Sequence, residues 1–277
     1  MRLEVSVPGT SANLGPGFDA LALALDLRTV ATLEVPSERP GVTVIGRDAA
    51  ILRRSHNLVE EGILQYLMAT GRTLPPFALT VDNQLPVARG LGGSAAALVA
   101  GLALGAAALG HPVDRAALLP LAALREGHAD NVAAALLGGL VVAWGEGQLV
   151  QARSLPVADS LRAVVFIPRQ SSSTRAARAV LPAVIAQADA VHNIARAALL
   201  VDALREGRGA DLRAAMADRL HQPYRLPLLP HAPLLDAALA AGAVAAAMDT
   251  RASELDVHGE TLTLDIDRCG LELAVEG

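Results

Sequence analysis

Lysine is absent from this chain of 277 residues, in which all 23 basic residues are arginine. Schiff-base chemistry is excluded because it needs a lysine amine. A Walker-type phosphate loop is excluded because its GK[ST] pattern needs a lysine. Any phosphate-binding site must therefore use backbone N–H groups, arginine side chains and a metal ion.

Cysteine and aromatic residues are also scarce. The lone cysteine, Cys269, excludes a disulfide framework and a cysteine-based zinc site, and it is typical of a reduced, cytoplasmic protein. Aromatic residues make up 2% of the chain, although 52% of all residues are hydrophobic. The core must therefore be built from Ala, Leu and Val.

The chain lacks the charge pattern of a nucleic-acid-binding protein. Its net charge is −5 with no basic run, so we expect no nucleic-acid partner. Residues 90–110 carry no charged side chain, but six of these 21 positions are glycine. This composition favours a buried small-residue helix over a membrane span, and the N-terminus lacks a signal-peptide core. We therefore expect no membrane partner.

Strand-like and helical patterns are interleaved along the chain. Strands are predicted at 3–7, 20–35 (two runs broken near Asp26), 42–45, 77–81, 140–144, 148–152, 161–167, 261–266 and 271–275. Helices are predicted at 57–70, 94–109, 114–125, 130–137, 174–180, 183–206, 209–220 and 233–241. This order, with hairpins present, predicts an α+β fold with mixed sheets. Pro156 marks the expected boundary between domains 1–155 and 156–277.

The strongest functional signal is the segment PVARGLGGSAAA at 86–97, a Gly-rich turn that opens into an Ala-rich helix. N–H groups at a helix N-terminus point outward, and the macrodipole adds about half a positive charge there. Gly90, Gly92 and Gly93 allow close approach of phosphate oxygens, and Ser94 can cap the helix or reach a phosphate or a metal ion. The pattern predicts an anion site, with a tight turn packed on a sheet as the alternative.

Two further segments place polar side chains on short loops. In PGTSANLGPGFD at 8–19, Asn13 and Asp19 lie on a loop shaped by Gly and Pro, where an Asx-turn is the structural alternative for each. The segment EGHADNV at 126–132 holds two acids and an imidazole within five positions. Taken alone, these side chains would more often be structural than functional.

Two segments of the second predicted domain combine arginine with other polar residues. In SSSTRAARAVLP at 171–182, Thr174 and Arg178 are four apart and share one face of a helical turn, for which Thr174 is a natural N-cap. The segment DRLHQPYR at 218–225 ends with Arg225. An arginine on a solvated helix would by itself be unremarkable.

Together these segments resemble the motifs of the GHMP kinases. The 86–97 segment is similar to the family's GLGSSAA loop, with Gly93 where serine is usual, and the 8–19 segment is similar to PATSANLGPGFD of the homoserine kinase branch. The other three are similar to the EGHxDNV, STxxAR and DRLHQPYR patterns. The resemblance implies an N-terminal ATP-binding domain like domain 2 of ribosomal protein S5, followed by a shortened ferredoxin-like domain.

The resemblance also implies an activity, the transfer of the γ-phosphoryl group of ATP to the side-chain hydroxyl of L-homoserine, a step towards threonine. Mg²⁺ would be held by Glu126 and Ser94, since a hard cation prefers oxygen ligands. Asp19 suits the substrate's amino group, and Arg225 suits its carboxylate because a guanidinium forms a bidentate fork. The implied substrate-binding residues are Asn13, Asp19, His128, Asp130, Arg178 and Arg225.

Catalytic roles are implied for Asp130, Arg178 and Thr174. Phosphoryl transfer needs mostly positioning and charge neutralisation, so no strong general base is assigned, and Asp130 is the group best suited to accept the hydroxyl's hydrogen bond. The implied nucleotide-binding residues are Asn57, Pro86, Val87, Ala88, Arg89, Gly90, Leu91, Gly92, Gly93, Ser94, Ala95 and Ala96.

A third Gly-rich motif of the family, SGAGP, has no counterpart in this sequence. Residues 249–261 read DTRASELDVHGET instead, and about a helix and a strand of the family's sequence are gone. Two alternatives therefore stay open, another small-molecule GHMP kinase and a non-catalytic relative that binds nucleotide or amino acid. One expected consequence is an exposed sheet edge, which a homodimer would cover.

Overall fold

A computed structural model describes residues 1–169, 174–228 and 259–276. The strands are β1 (Arg2–Ala12), β2 (Leu21–Glu34), β3 (Gly41–Gly46), β4 (Ala78–Asn83), β5 (Leu140–Trp144), β6 (Gln151–Leu155), β7 (Ala163–Pro168), β8 (Gly259–Leu264) and β9 (Glu272–Glu276). The helices are α1 (Ala49–Leu52), α2 (Leu58–Thr70), α3 (Gly93–Ala108), α4 (Arg115–Glu126), α5 (Asp130–Leu137), α6 (Thr174–Ala179), α7 (Gln187–Glu206), α8 (Gly209–Ala215) and α9 (Gln222–Arg225).

In the described part of the chain, seven strands form a mixed sheet in the order β3-β4-β2-β1-β9, and β5 joins it by pairing with β2 and β6. All the pairs are antiparallel except β3 with β4. The break predicted near Asp26 is absent, since β2 runs on through this residue. A bulge absorbs the irregularity, because the register with β1 shifts between Pro8 and Gly9.

Helices α3 and α5 pack on β1 and β2, and α2 and α4 pack on α3. Leu3, Val5 and Val7 alternate into this core from β1, as the sequence pattern predicted. Helix α3 has most of its residues buried, which explains its lack of charged side chains. Among the described residues, no helix is both long and apolar enough to span a bilayer.

Helices α2 and α3 approach closely at two glycines. A Cβ at Gly62 would lie 2.6 Å from the carbonyl oxygen of Leu98, and a Cβ at Gly101 would lie 2.0 Å from that of Val59. A larger residue at either position would force the helices apart. These two glycines thus set the short distance between α2 and α3, whose first residues, Leu58 and Gly93, line the cavity described below.

The second part of the chain has a two-stranded antiparallel sheet, β7 with β8, and the helices α6 to α9. Helix α8 ends at Ala215, earlier than the predicted 220, because Asp218 instead caps the turn that leads into α9. Helix α7 begins at Gln187 rather than 183. The helix predicted at 233–241 and most of the stretch that replaces the SGAGP motif lie outside the described residues.

The last strand, β9, pairs with β1 and so completes the first sheet. Arg28 of β2 forms an ion pair with Asp267 and donates to the carbonyl oxygen of Gly270 at 2.7 Å. Arg115 donates to the carbonyl oxygen of Leu271 at 2.6 Å. The predicted division at Pro156 assigns β9 to the second domain, and at this strand the structure differs from it.

Candidate active site

A cavity of about 980 Å³ brings together residues from all five segments singled out in the sequence. Its volume is at the upper end of the range that is common for small-molecule sites. Predicted site residues that line it are Asn13, Asp19, Asn57, Pro86, Val87, Ala88, Arg89, Gly90, Leu91, Gly92, Gly93, Ser94, Glu126, His128, Asp130, Arg178 and Arg225.

The Gly-rich loop at 86–92 is pressed against β1. Gly92 precedes α3 with a left-handed backbone (φ +65°), and a Cβ there would lie 1.9 Å from Thr10 Oγ1. Thr10 is fully buried, donates its backbone N–H to Leu91 O at 3.1 Å and accepts a hydrogen bond from Asn131 Nδ2 at 2.8 Å. These contacts fix the loop so that the first turn of α3 borders the cavity, where its N–H groups can bind an anion.

Ser94 and Glu126 meet at the start of α3. Ser94 Oγ donates to Glu126 Oε1 at 2.5 Å, and Glu126 is the last residue of α4. Two oxygen ligands beside an anion site fit Mg²⁺, which usually shares its coordination with substrate phosphates and water. Across 1–169, 174–228 and 259–276, no cluster of three His, Cys, Asp or Glu side chains could hold a metal ion by itself.

Two of the predicted nucleotide ligands point away from the cavity, and a third is engaged by backbone carbonyls. Ala95 and Ala96 are fully buried in the main core, because α3 turns these side chains away from the cavity, and the N–H of Ala96 donates to Gly92 O at 2.9 Å. Arg89 lines the cavity, but its Nε donates to Pro168 O at 2.7 Å. Arg89 therefore joins the Gly-rich loop to the end of β7.

His128 and Asp130 form a hydrogen-bonded pair. His128 Nδ1 lies 3.1 Å from Asp130 Oδ1, which also accepts the backbone N–H of Asn131 at 2.8 Å. The hydrogen bond to Asp130 is the main cause that raises the pKa of His128 above its ordinary value. Asp130 is almost fully buried, so its carboxylate is fixed and orients the imidazole of His128. The Nε2 atom of His128 lies 3.9 Å from Glu126 Oε1.

Asp19 forms an ion pair with Arg178. Both residues are predicted to bind the substrate. Two guanidinium nitrogens of Arg178 donate to the Asp19 carboxylate at 2.9 and 2.6 Å, which raises the pKa of Arg178. Asn13 Oδ1 accepts the backbone N–H of Asp19 at 3.1 Å, so Asn13 shapes the loop. Thr174 begins α6, but its side chain lies outside the described residues.

Arg225 ends α9 and lies over the ring of Phe18, with its guanidinium carbon 4.9 Å from the ring centroid. Its Nε donates to Ala177 O at 3.1 Å, and burial lowers its pKa. The ring of His221 stacks on Phe18 at 5.2 Å, and its Nε2–H donates to Gly15 O at 2.7 Å. The segments at 8–19 and 218–225 therefore contact each other directly.

Asp218 organises this region, although the sequence reading gave it no role. Its fully buried carboxylate accepts Asn193 Nδ2 at 2.6 Å and the backbone N–H groups of 220–222. Burial alone would raise the pKa of Asp218, but these hydrogen bonds lower it below its ordinary value. Its position could have suggested a structural role, because Pro223 marks the start of a helix and an acid a few residues earlier can accept N–H groups at that start.

Asn57 caps α2, which is the structural alternative to nucleotide binding. Its Oδ1 accepts the backbone N–H groups of Val59 and Glu60, each at 3.0 Å. Asn57 also lines the cavity, together with the apolar side chains of Val44 and Leu52. An apolar wall next to an amide suits a heterocyclic base, so the two roles are compatible.

His221 predicts a specific pH dependence of stability. Burial is the main cause that lowers the pKa of His221, so the folded protein keeps it neutral at a pH where the unfolded chain is protonated. Its contribution to stability is complete above about pH 6.5, the ordinary histidine pKa, and is lost as the pH falls below that value. We expect the unfolding free energy of the wild type to fall more steeply with acid than that of His221→Gln, by at most about 1.4 kcal/mol per pH unit.

Urea denaturation of both proteins between pH 8 and pH 5 measures this difference. His56→Gln is the matched control, because the His56 side chain is 71% exposed. Parallel stability curves for the wild type and His221→Gln would contradict the prediction.

Sequence and structure comparisons with known proteins point to the same family. The model of the GHMP kinases N terminal domain matches residues 57–139. Homoserine kinase of Moorella thermoacetica is 44% identical over 243 residues, 87% of this chain and 82% of that protein. Homoserine kinase of Deinococcus radiodurans is 42% identical over 267 residues, 94% of this chain and 86% of that protein. The crystal structure of homoserine kinase from Cytophaga hutchinsonii superimposes with a TM-score of 0.82 at 27% identity, covering 99% of this chain and 97% of that one.

The mixed sheet, the Gly-rich loop that opens α3 and these relatives define a small-molecule kinase with the two-domain α+β fold of the GHMP class. Within that class, the chain belongs to the homoserine kinase family.

Proposed function

We propose that this chain transfers the γ-phosphoryl group of ATP to the side-chain hydroxyl of L-homoserine. The products are ADP and O-phospho-L-homoserine, which is an intermediate towards threonine. The observation that carries the proposal is the convergence on one cavity of a helix N-terminus for phosphate with charged groups of both signs for an amino acid. Relatives at 42–44% identity over most of the chain support the same reaction.

The nucleotide binds with its phosphates at the first turn of α3 and its base towards Asn57. The left-handed glycines of the loop and the polar end of α3 support this orientation. Glu126 and Ser94 would hold Mg²⁺, which would supply charge neutralisation at the phosphates. Arg89 is assigned to the loop's own structure rather than to the phosphates, because its guanidinium is engaged by backbone carbonyls.

L-Homoserine is a zwitterion, and the cavity offers a complement to each of its charges. Asp19 takes the ammonium group and Arg225 takes the carboxylate, while Asn13 and His128 line the space around the side chain. Asp19 is bonded to Arg178 in the free chain, so the ammonium group shares this carboxylate with the guanidinium. A polar substrate without both charges would leave one of these groups unpaired, which favours an amino acid.

In the chemical step, the homoserine hydroxyl oxygen forms a bond to the γ-phosphorus while the bond from that phosphorus to the bridging oxygen breaks. ADP leaves with the electron pair of the broken bond, and the hydroxyl proton passes to solvent water. Asp130 accepts the hydroxyl's hydrogen bond, and Arg178 acts from α6 on the transferring group. The catalytic role that the family resemblance implies for Thr174 stays a prediction. Most of the acceleration comes from alignment and charge neutralisation, which these groups supply without a strong base.

ADP release by the full chain with ATP and Mg²⁺ tests the proposal. We expect stimulation by L-homoserine, loss of activity with EDTA, and no stimulation by mevalonate, galactose or L-threonine. Phosphorus NMR should identify a phosphomonoester product. Stimulation by mevalonate or galactose instead would reassign the substrate. Calorimetric binding of nucleotide and homoserine without turnover would show a non-catalytic binding protein.

A pair of arginine variants tests the assigned orientation of the substrate. Arg225→Gln is expected to raise the KM for homoserine about 10–100-fold, because one to two hydrogen bonds to a charged group are lost. The KM for ATP should stay unchanged. Arg219→Gln is the matched control on the same segment, since the Arg219 side chain is 54% exposed, and its effect should stay within about twofold.

A further inference from the structure

Phe18 contacts two cationic side chains of the site. The guanidinium carbon of Arg225 lies 4.9 Å from its ring centroid, and that of Arg178 lies 5.5 Å from it. The imidazole of His221 stacks on the same ring, with an interplanar angle of 29°. Phe18 is one of only three phenylalanines in 277 residues, so an unusual residue for this chain stands where the two predicted anion-binding arginines meet.

The guanidinium groups of Arg178 and Arg225 repel each other. Each carries a positive charge, and the presence of Arg178 adds to the burial that lowers the pKa of Arg225. Asp19 offsets part of this repulsion by its two hydrogen bonds with Arg178, but no such bond from Asp19 reaches Arg225 among the described contacts. The negative face of an aromatic ring attracts cations, and it does so more strongly where water is excluded.

We propose that Phe18 is a positioning residue for two arginines. Its ring holds Arg225 in place for the carboxylate of homoserine and Arg178 in place for the phosphoryl group transferred from ATP. This inference rests on the proposed function. Phe18 and Asp19 are adjacent in the chain and act on the same arginines in different ways, the first by its ring and the second by its charge. When the substrate ammonium shares Asp19, the ion pair to Arg178 weakens, and the ring of Phe18 keeps the guanidinium near its place.

His221 fixes the ring in turn. The His221 Nε2–H donates a hydrogen bond to Gly15 O, which lies on the same loop as Phe18. The Nδ1 atom of His221 accepts a hydrogen bond from Arg225 Nη1 at 3.5 Å. The ring of Phe18 therefore contacts two guanidinium groups and an imidazole whose position is fixed by its hydrogen bond to Gly15. An aliphatic side chain at position 18 could fill the volume, but it would have no face that attracts a guanidinium.

Phe18→Leu and Phe18→Tyr separate the ring from its volume. Each variant is assayed with L-homoserine and with 3-amino-1-propanol, which is homoserine without its carboxylate. The ratio of the two kcat/KM values reports how well the carboxylate is recognised and is insensitive to the fraction of folded protein. We expect Phe18→Leu to lower this ratio about tenfold, and Phe18→Tyr to keep it within about threefold of the wild type. Phe77→Leu, which packs against the main core away from the site, should leave the ratio unchanged.

Equal losses of kcat/KM on both substrates in Phe18→Leu would overturn the proposal, since a structural role would affect both alike. A second measurement does not depend on the substrate. In ¹⁵N-arginine NMR, with assignments from Arg178→Lys and Arg225→Lys, the ring current should shift both Nε–H resonances in the wild type and in Phe18→Tyr, and the shifts should vanish in Phe18→Leu. Unchanged resonances in Phe18→Leu would also overturn it. If the wild type fails to phosphorylate homoserine, the proposed function fails, and the NMR comparison still tests whether the ring of Phe18 contacts both guanidinium groups.

Discussion

Gly92→Ala is expected to lower kcat/KM about a hundredfold or more, whereas Gly93→Ala should leave it within about threefold of the wild type. A Cβ at Gly92 would overlap Thr10 Oγ1 at 1.9 Å, and its backbone is left-handed. A Cβ at Gly93 would meet only Leu85 Cβ, at 3.8 Å. The first substitution must displace the loop that carries the anion site, while the second fits the existing structure.

Steady-state kinetics with both substrates measure this contrast between two neighbouring glycines. The double variant Thr10→Ala/Gly92→Ala removes the overlapping hydroxyl and should recover part of the activity lost in Gly92→Ala. Gly93→Ser restores the hydroxyl that the GHMP kinase loop usually carries, and it should be tolerated as well as Gly93→Ala. Equal activity of Gly92→Ala and Gly93→Ala would show that the contact of the loop with Thr10 does not position the phosphates.

Asp218→Ala should lower the unfolding free energy by about 3–6 kcal/mol, because it removes two or more hydrogen bonds to a buried charge. The carboxylate is fully buried and accepts one side-chain and three backbone donors, which would lose their partner. In the folded fraction, the KM for homoserine should rise, since Arg225 and His221 lie on the segment that Asp218 holds. The KM for ATP should change little.

Denaturant titration and homoserine kinetics together test this prediction. Asp218→Asn keeps one acceptor oxygen and should show an intermediate loss. Asp211→Ala is the matched control, because Asp211 is 45% exposed in an i,i+3 pair with Arg208, and such surface pairs contribute less than about 1 kcal/mol. A loss in Asp218→Ala no greater than that of the control would mean that water replaces the carboxylate without cost.

Much of the first sheet was readable from local patterns. The alternation of Leu3, Val5 and Val7 predicts a strand with one buried face, and the structure has that face in the core. The pairing of β9 with β1 was not readable, because Leu3 meets Val275 across almost the whole length of the chain. Local pattern defines which residues form a strand, but it carries no information about a distant partner.

The site shows the same division at the level of single residues. The motifs contain Thr10, Phe18, Asn131, Asp218 and His221, but none of these had an assigned role. Each acts through a contact with another segment, such as Thr10 with Gly92 or Phe18 with Arg225. Ala95 and Ala96 show the converse, since they stand inside the loop motif while the helix turns their side chains into the core.

The sequence by itself determined the chemical types of the site and the family that uses them. The local geometry of the Gly-rich segment predicts an anion site at the start of a helix. The oxygen-rich cation site and the complement for an amino acid are implied by the resemblance of the acidic and arginine-bearing segments to the GHMP kinase motifs. The tertiary structure decided which of these groups face the cavity, which hold one another, and which position them. Those relations depend on packing between segments far apart in the chain, so they arise only when the whole fold has formed.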